Sequence, residues 1–76
     1  MNYMDILKNA LETRKMTRSA LAEKLGYKRP SSVSNILTGV RVPAFDNYVK
    51  MLNAAGFDVI VRDQYDKKTE WVVDAE

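Results

Sequence analysis

The chain has 76 residues, of which 46% are hydrophobic and 29% charged, with a formal net charge of +2. A chain this short is one small domain burying only about 60% of its unfolded surface, and oligomerisation is a usual remedy for the marginal stability that follows. It contains no cysteine and no histidine, which excludes a disulfide framework, a thiolate zinc site and the commonest general base.

Apolar residues never run near the 18 or so that a membrane span needs, and the N-terminus lacks a basic-then-apolar signal. A cytoplasmic protein without a membrane segment is expected. The charge is unevenly placed. Residues 1–43 carry eight basic against three acidic side chains, and residues 44–76 four against seven. A basic front and an acidic back suit a module that presents one end to a polyanion.

Asn2 is a good cap for a first helix, with Asp5 near its positive end. Leu7, Ala10 and Leu11 follow at helical spacing, so the first helix is expected at about Tyr3–Lys15, with Met16 plugging the corner after it. Thr17 can cap a second helix of about Arg18–Leu25, in which Leu21, Ala22 and Leu25 share a face. Gly26 follows where a helix ends in a left-handed residue. Tyr27-Lys28-Arg29-Pro30 turns the chain into Ser31–Thr38, closed by Gly39. In this third helix Val33, Ile36 and Leu37 form the inward face.

The rest of the third helix is Ser31, Ser32, Ser34, Asn35 and Thr38. These are mediocre helix formers, and their short side chains both donate and accept hydrogen bonds. Asparagine can bond adenine's edge bidentately, and serine can meet either partner of a base pair. Lys28 and Arg29, just before the helix, could reach phosphates or a guanine edge.

The run Leu21-Ala22-Glu23-Lys24-Leu25-Gly26, followed by a polar helix and Asn35-Ile36-Leu37-Thr38-Gly39, resembles the helix-turn-helix of phage Cro and repressor proteins, the XRE-like family. The family's small residue in helix two matches Ala22, its turn glycine Gly26, and its buried aliphatic in the recognition helix Val33. The likeness covers roughly Tyr3 to Gly56. Two departures stand out: the path from Gly26 to Val33 is one residue longer than usual, and Pro30 sits where a free backbone is common. The recognition helix can therefore open in two ways. Pro30 is its first helical residue, where a missing N–H costs nothing, or Ser31 is its cap with Pro30 outside.

The resemblance implies a mainly α fold, a four-helix, lambda-repressor-like helix-turn-helix domain over residues 1–56. It implies double-stranded DNA as partner; the residue types themselves lead us to expect no catalysis, cofactor or metal. Ser31, Ser32 and Asn35, with Lys28 and Arg29, are the expected base readers. Phosphate contacts are expected from Thr17, Arg18 and Ser19 at the start of helix two, and from Thr38 and Arg41 after the recognition helix. Ala44 stands where relatives often carry a serine cap.

Pro43 ends the loop after Gly39. Phe45, Tyr48, Val49, Leu52 and Ala55 then give the cleanest helical periodicity in the chain, over about Phe45–Ala55, closed by Gly56. Residues 57–76 change character. Phe57–Asp63 and Thr69–Val73 read as two strands around a polar turn, a C-terminal β-hairpin. An isolated hairpin is marginal in water, so its apolar face needs the helical core or a second chain. Cro-like proteins include members that dimerise through C-terminal strands. A homodimer through Val59, Val61, Trp71 and Val73 is expected, against a hairpin packed within its own chain.

A sequence-specific regulator, most simply a repressor on a palindromic operator, is the leading expectation. The alternative is an antitoxin-like module whose acidic C-terminal segment grips a toxin-like partner. An enzyme is disfavoured: Asp58, Asp63, Glu70 and Asp74 are spread over the expected strands, and no phosphate-cradling glycine loop or metal-ligand spacing is present.

Overall fold

The computed structural model describes residues 1–74. In chain order it forms α1 (Tyr3–Arg14), α2 (Arg18–Lys24), α3 (Ser31–Leu37), α4 (Phe45–Ala54), β1 (Ile60–Arg62) and β2 (Glu70–Val72). Four helices followed by a hairpin is the expected mainly α architecture. The last two residues of the expected 57–76 segment lie outside the described residues.

Helices α1 and α2 start as their sequences dictate. The Asp5 amide donates to Asn2 Oδ1 at 2.9 Å, and the Ala20 amide to Thr17 Oγ1 at 3.0 Å. Three helices end in one way, with a left-handed residue and a 6→1 bond. Met16 N donates to the Leu11 carbonyl, Tyr27 N to Ala22 and Phe57 N to Leu52. The left-handed residues are Lys15 (φ 53°), Gly26 (φ 76°) and Gly56 (φ 87°). Lys15 therefore closes α1 rather than extending it, in a backbone region that a side chain disfavours.

The start of α3 differs from both openings anticipated. Pro30 holds the cap position yet already has helical angles, φ −62° and ψ −21°, and no side chain caps the helix. The Val33 and Ser34 amides donate to the Pro30 carbonyl at 3.0 and 3.1 Å. Ser31 is the first residue of α3, not its cap. The proline ring fixes φ near the helical value, so the chain enters the helix one residue earlier than a serine cap would allow.

The core draws on all four helices: Leu7, Leu21, Val33, Val49 and Met51 are at most 1% exposed. Leu25, expected in the core, is only half-buried, while Met16 packs against the cluster as expected. The expected stripe of α4 needs two corrections. Phe45 is 64% exposed, and Met51, outside the stripe, is fully buried. Phe45 is the first residue of α4, one turn before Val49. Met51 and Ala55, one turn apart, form the other border of the buried face. Tyr48 is half-buried, and its hydroxyl donates to the Tyr3 carbonyl at 2.7 Å. Burial pushes its phenol above the ordinary value.

The C-terminus of α4 is held by α1. Arg14 Nε donates to the Ala55 carbonyl and Nη2 to Gly56, each at 3.0 Å, and the guanidinium carbon lies 4.5 Å from the centre of the Phe57 ring. A cation there meets the negative end of the helix dipole. A side chain at Gly56 would place Cβ 3.0 Å from Arg14 Nε. Glycine thus serves both the left-handed turn and the close approach of the arginine.

The strands are shorter than expected. They pair antiparallel in the register Ile60↔Val72, Val61↔Trp71 and Arg62↔Glu70. Upstream, Phe57 and Val59 lean on the helical core. Downstream, the carboxylates take over the backbone. Tyr65 N donates to Asp63 Oδ1 at 2.7 Å, and Asp66 Oδ1 accepts from Lys68 N at 2.8 Å and Thr69 N at 3.0 Å. Such turns compete with strand pairing. The amide bonds from Thr69 and Lys68, and then the Thr69 hydroxyl, hold the Asp66 carboxyl below the usual carboxylate range.

Candidate nucleic-acid interface

Helix α3 has two unlike faces. Val33, Ile36 and Leu37 are buried. Ser31, Asn35 and Thr38 are exposed at i, i+4 and i+7, and Ser34 flanks them half-buried. This exposed row of small donors and acceptors is the shape that fits against base edges in a major groove. Ser32 lies off the row. It is half-buried on the opposite flank, in a cleft of about 370 Å³ shared with Tyr27, Arg41 and Asn47.

The elements around α3 bring cations to its two sides. Thr17, Arg18 and Ser19 are exposed at the start of α2. Arg18 Nη1 donates to Ser34 Oγ at 3.2 Å, which ties the start of α2 to the row. The Thr17 hydroxyl oxygen accepts the Ala20 amide, so its oxygen is engaged while its proton stays free to donate. On the other side the Arg41 amide donates to the Asn35 carbonyl at 3.0 Å, which folds the loop back beside the C-terminal end of α3. Thr38 Oγ1 donates to the Ser34 carbonyl at 2.9 Å, spending its proton inside the helix. Lys28 and Arg29 are exposed in the loop before α3.

Several residues join this surface without having been singled out by the sequence pattern. Ser34 completes the i, i+3, i+4, i+7 row from Ser31, a signal that helical spacing does contain. Lys8 and Lys15 line an open cleft with Thr17 and Arg18. Their neighbourhood comes from the packing of α1 against α3 and has no local signature, and the same holds for Asn47 beside Ser32.

A family model described as helix-turn-helix matches residues 7–59, which span α1 to the root of the hairpin. The chain belongs to the Cro/C1-type, XRE-like helix-turn-helix family. Comparison with curated proteins and with solved structures yields no match of significance. As a helix-turn-helix protein it is a DNA-binding regulator. Its two named helices are α2 and α3, and the row on α3 is the outer face of the second.

The four residues expected to dimerise share one face of the hairpin, because alternate residues of paired strands point the same way. Val73 N donates to the Val59 carbonyl at 2.8 Å and so continues the register past β2. Val59, which packs on the helical core, and Val73 are half-buried, whereas Val61 and Trp71 are 49% and 64% exposed. Ile60 and Val72, on the opposite face, are also exposed. Among the described residues, no helix is long and apolar enough to cross a membrane, and no group of acidic residues could hold a metal ion.

Proposed function

We propose that the chain is a sequence-specific transcriptional repressor that binds a palindromic operator as a homodimer. One observation carries this reading: α3 buries Val33, Ile36 and Leu37 and turns a row of short polar side chains outward, with Arg18 on one flank and Arg41 on the other. Helix α3 lies in the major groove. Ser31, Ser32 and Asn35 read base edges with Lys28 or Arg29 at the groove's margin, Ser32 from within the Tyr27–Asn47 cleft. Thr17, Arg18, Ser19, Thr38 and Arg41 hold phosphates, Thr38 by swinging its hydroxyl proton from the Ser34 carbonyl to a phosphate oxygen. Repression comes from occupying a promoter, which requires no catalysis and no cofactor. The working compartment is the cytoplasm.

Two copies join through the apolar hairpin face of Val59, Val61, Trp71 and Val73, with residues 1–56 as the reading domain and 57–76 as the joining element. Symmetry then sets half-sites about one helical turn, roughly 34 Å, apart. Binding falls steeply with salt as phosphate-bound counterions are released.

Selection of bound sequences from random duplex DNA, followed by titration on the selected and a scrambled site, tests the reading. A palindromic consensus is expected, and Asn35→Ala should relax preference on the selected site. Equal loss on both sites for Asn35→Ala would refute its part in readout, and no enriched sequence would refute the reading as a whole.

The exposure of Trp71 favours a second reading, an antitoxin-like module whose hairpin grips a toxin-like protein. Co-purification with the neighbouring gene's product would support it, and a stable homodimer with nothing else bound would count against it.

A further inference from the structure

The hydroxyls around α3 are not equivalent. Ser31 and Ser32 make no side-chain hydrogen bond among the described residues, so each hydroxyl can turn to donate or accept. Thr38 has spent its proton on the Ser34 carbonyl. Ser34 is the opposite case. Its oxygen accepts Arg18 Nη1 at 3.2 Å, and its own proton is donated to no acceptor among the described residues. A guanidinium on one lone pair repels a second approaching donor and turns the O–H away from itself. Ser34 also sits on the outward row, adjoining Asn35.

We propose that Arg18 and Ser34 form one reading unit, in which the guanidinium fixes the Ser34 hydroxyl as a donor aimed at an acceptor atom of a base. The inference rests on the reading of α3 as the helix in the major groove. The acceptors presented there are guanine N7 and O6, adenine N7 and thymine O4. The amino groups of cytosine and adenine are rejected, because they would meet a donor. Arg18 has five N–H groups in a planar fork. One is used on Ser34, and the others remain to bond the phosphate beside that base. Arg18 thereby acts on specificity as a positioning residue, as well as on affinity by its charge. An arginine that only met phosphate would weaken all sequences alike.

The full-length chain and its variants Ser34→Ala, Ser34→Thr, Arg18→Ala, Arg18→Ala/Ser34→Ala and Asn35→Ala should be taken through the same random-duplex selection, with melting temperatures measured alongside. Ser34→Ala is expected to flatten preference at one base-pair position per half-site by about tenfold, the scale of one lost base contact. Arg18→Ala should flatten that same position and also weaken binding overall. The double variant should show no further loss of preference there, the non-additivity of a shared interaction. Ser34→Thr, which keeps the hydroxyl, should restore the preference. The proposal is overturned if Ser34→Ala leaves every position unchanged, or if Arg18→Ala lowers affinity uniformly with all preferences intact. If Asn35→Ala still shifts a position in that event, the groove reading stands and only the Arg18–Ser34 unit fails. If none of the variants shifts any position, the groove reading fails with it.

Discussion

The helical head and the hairpin hold similar kinds of apolar residue and treat them in opposite ways. In the head, Leu7, Leu21, Val33 and Met51 are completely covered by neighbouring helices. In the hairpin all six strand residues are exposed, although Ile60, Val61, Trp71 and Val72 are as apolar as anything in the core. The head satisfies its hydrophobic stripes within one chain. Among the described residues, the hairpin segment packs on the head's core through Phe57 and Val59. An uncovered two-stranded ribbon is marginal in water, and on this contrast rests the proposal that the head folds the chain while the hairpin joins it to a second copy.

The sharpest way to break the contrast is to damage each side and compare. Leu21→Ala in the head should cost about 2–5 kcal/mol of unfolding free energy, since it leaves a cavity among buried side chains. Chemical denaturation reads this directly, and a loss under 1 kcal/mol would mean that the core is not where stability resides. Trp71→Ser should act on association instead. It should raise the dimer dissociation constant by roughly 30-fold, on the order of 2 kcal/mol, while leaving monomer unfolding nearly unchanged. Sedimentation equilibrium decides, and a wild-type chain that stays monomeric at high concentration would remove the joining role.

A smaller effect tests the seam between the two regions. Arg14→Met keeps an apolar stem but loses both hydrogen bonds to the end of α4 and the cation over Phe57. A loss of about 1–2 kcal/mol is expected in thermal unfolding. An unchanged midpoint would show that the clamp carries no stability.

The smallest effect belongs to the hairpin turn. The folded pKa of Asp66 is depressed, so its contribution is complete above the ordinary carboxylate value and is lost as pH falls through the lowered one. Strand protection by hydrogen exchange should stay flat from neutral pH down to about pH 5 and weaken only in stronger acid. Asp66→Asn, which keeps an acceptor but no charge, should weaken it slightly from neutral pH down to about pH 5, converge with the wild type in strong acid and abolish the acid dependence. Weakening on the alkaline side instead would assign the turn to another group.

Much of the head is legible because its information is local. The spacing of Leu7, Ala10 and Leu11, and of Val33, Ile36 and Leu37, gives inward faces that the structure reproduces. Asn2 and Thr17 cap as their side chains suggest. What escaped depends on where another element stops. Phe45 fits the periodicity of α4 but lies past the edge of the core, and Met51 breaks the chosen stripe yet faces a neighbour. Lys15 closes α1 in a conformation for which composition suggests glycine. In the candidate interface the polar row on α3 is readable from sequence. The bond from Arg18 to Ser34 spans 16 residues and the bond from Arg14 to Ala55 spans 41, and neither has a counterpart in local pattern.

The Arg14 clamp sits at the joint where helix gives way to ribbon. It grips the Ala55 and Gly56 carbonyls while its face covers Phe57, the residue from which the hairpin departs. The angle the ribbon takes from the body is therefore held by this guanidinium together with the Phe57 amide bond to Leu52 and the Asn53 side-chain bond to the Phe57 carbonyl. In a pair of chains joined by their ribbons, that angle fixes how far apart the two α3 helices stand. Loosening the joint would blur the tolerated gap between half-sites while leaving every base contact in place.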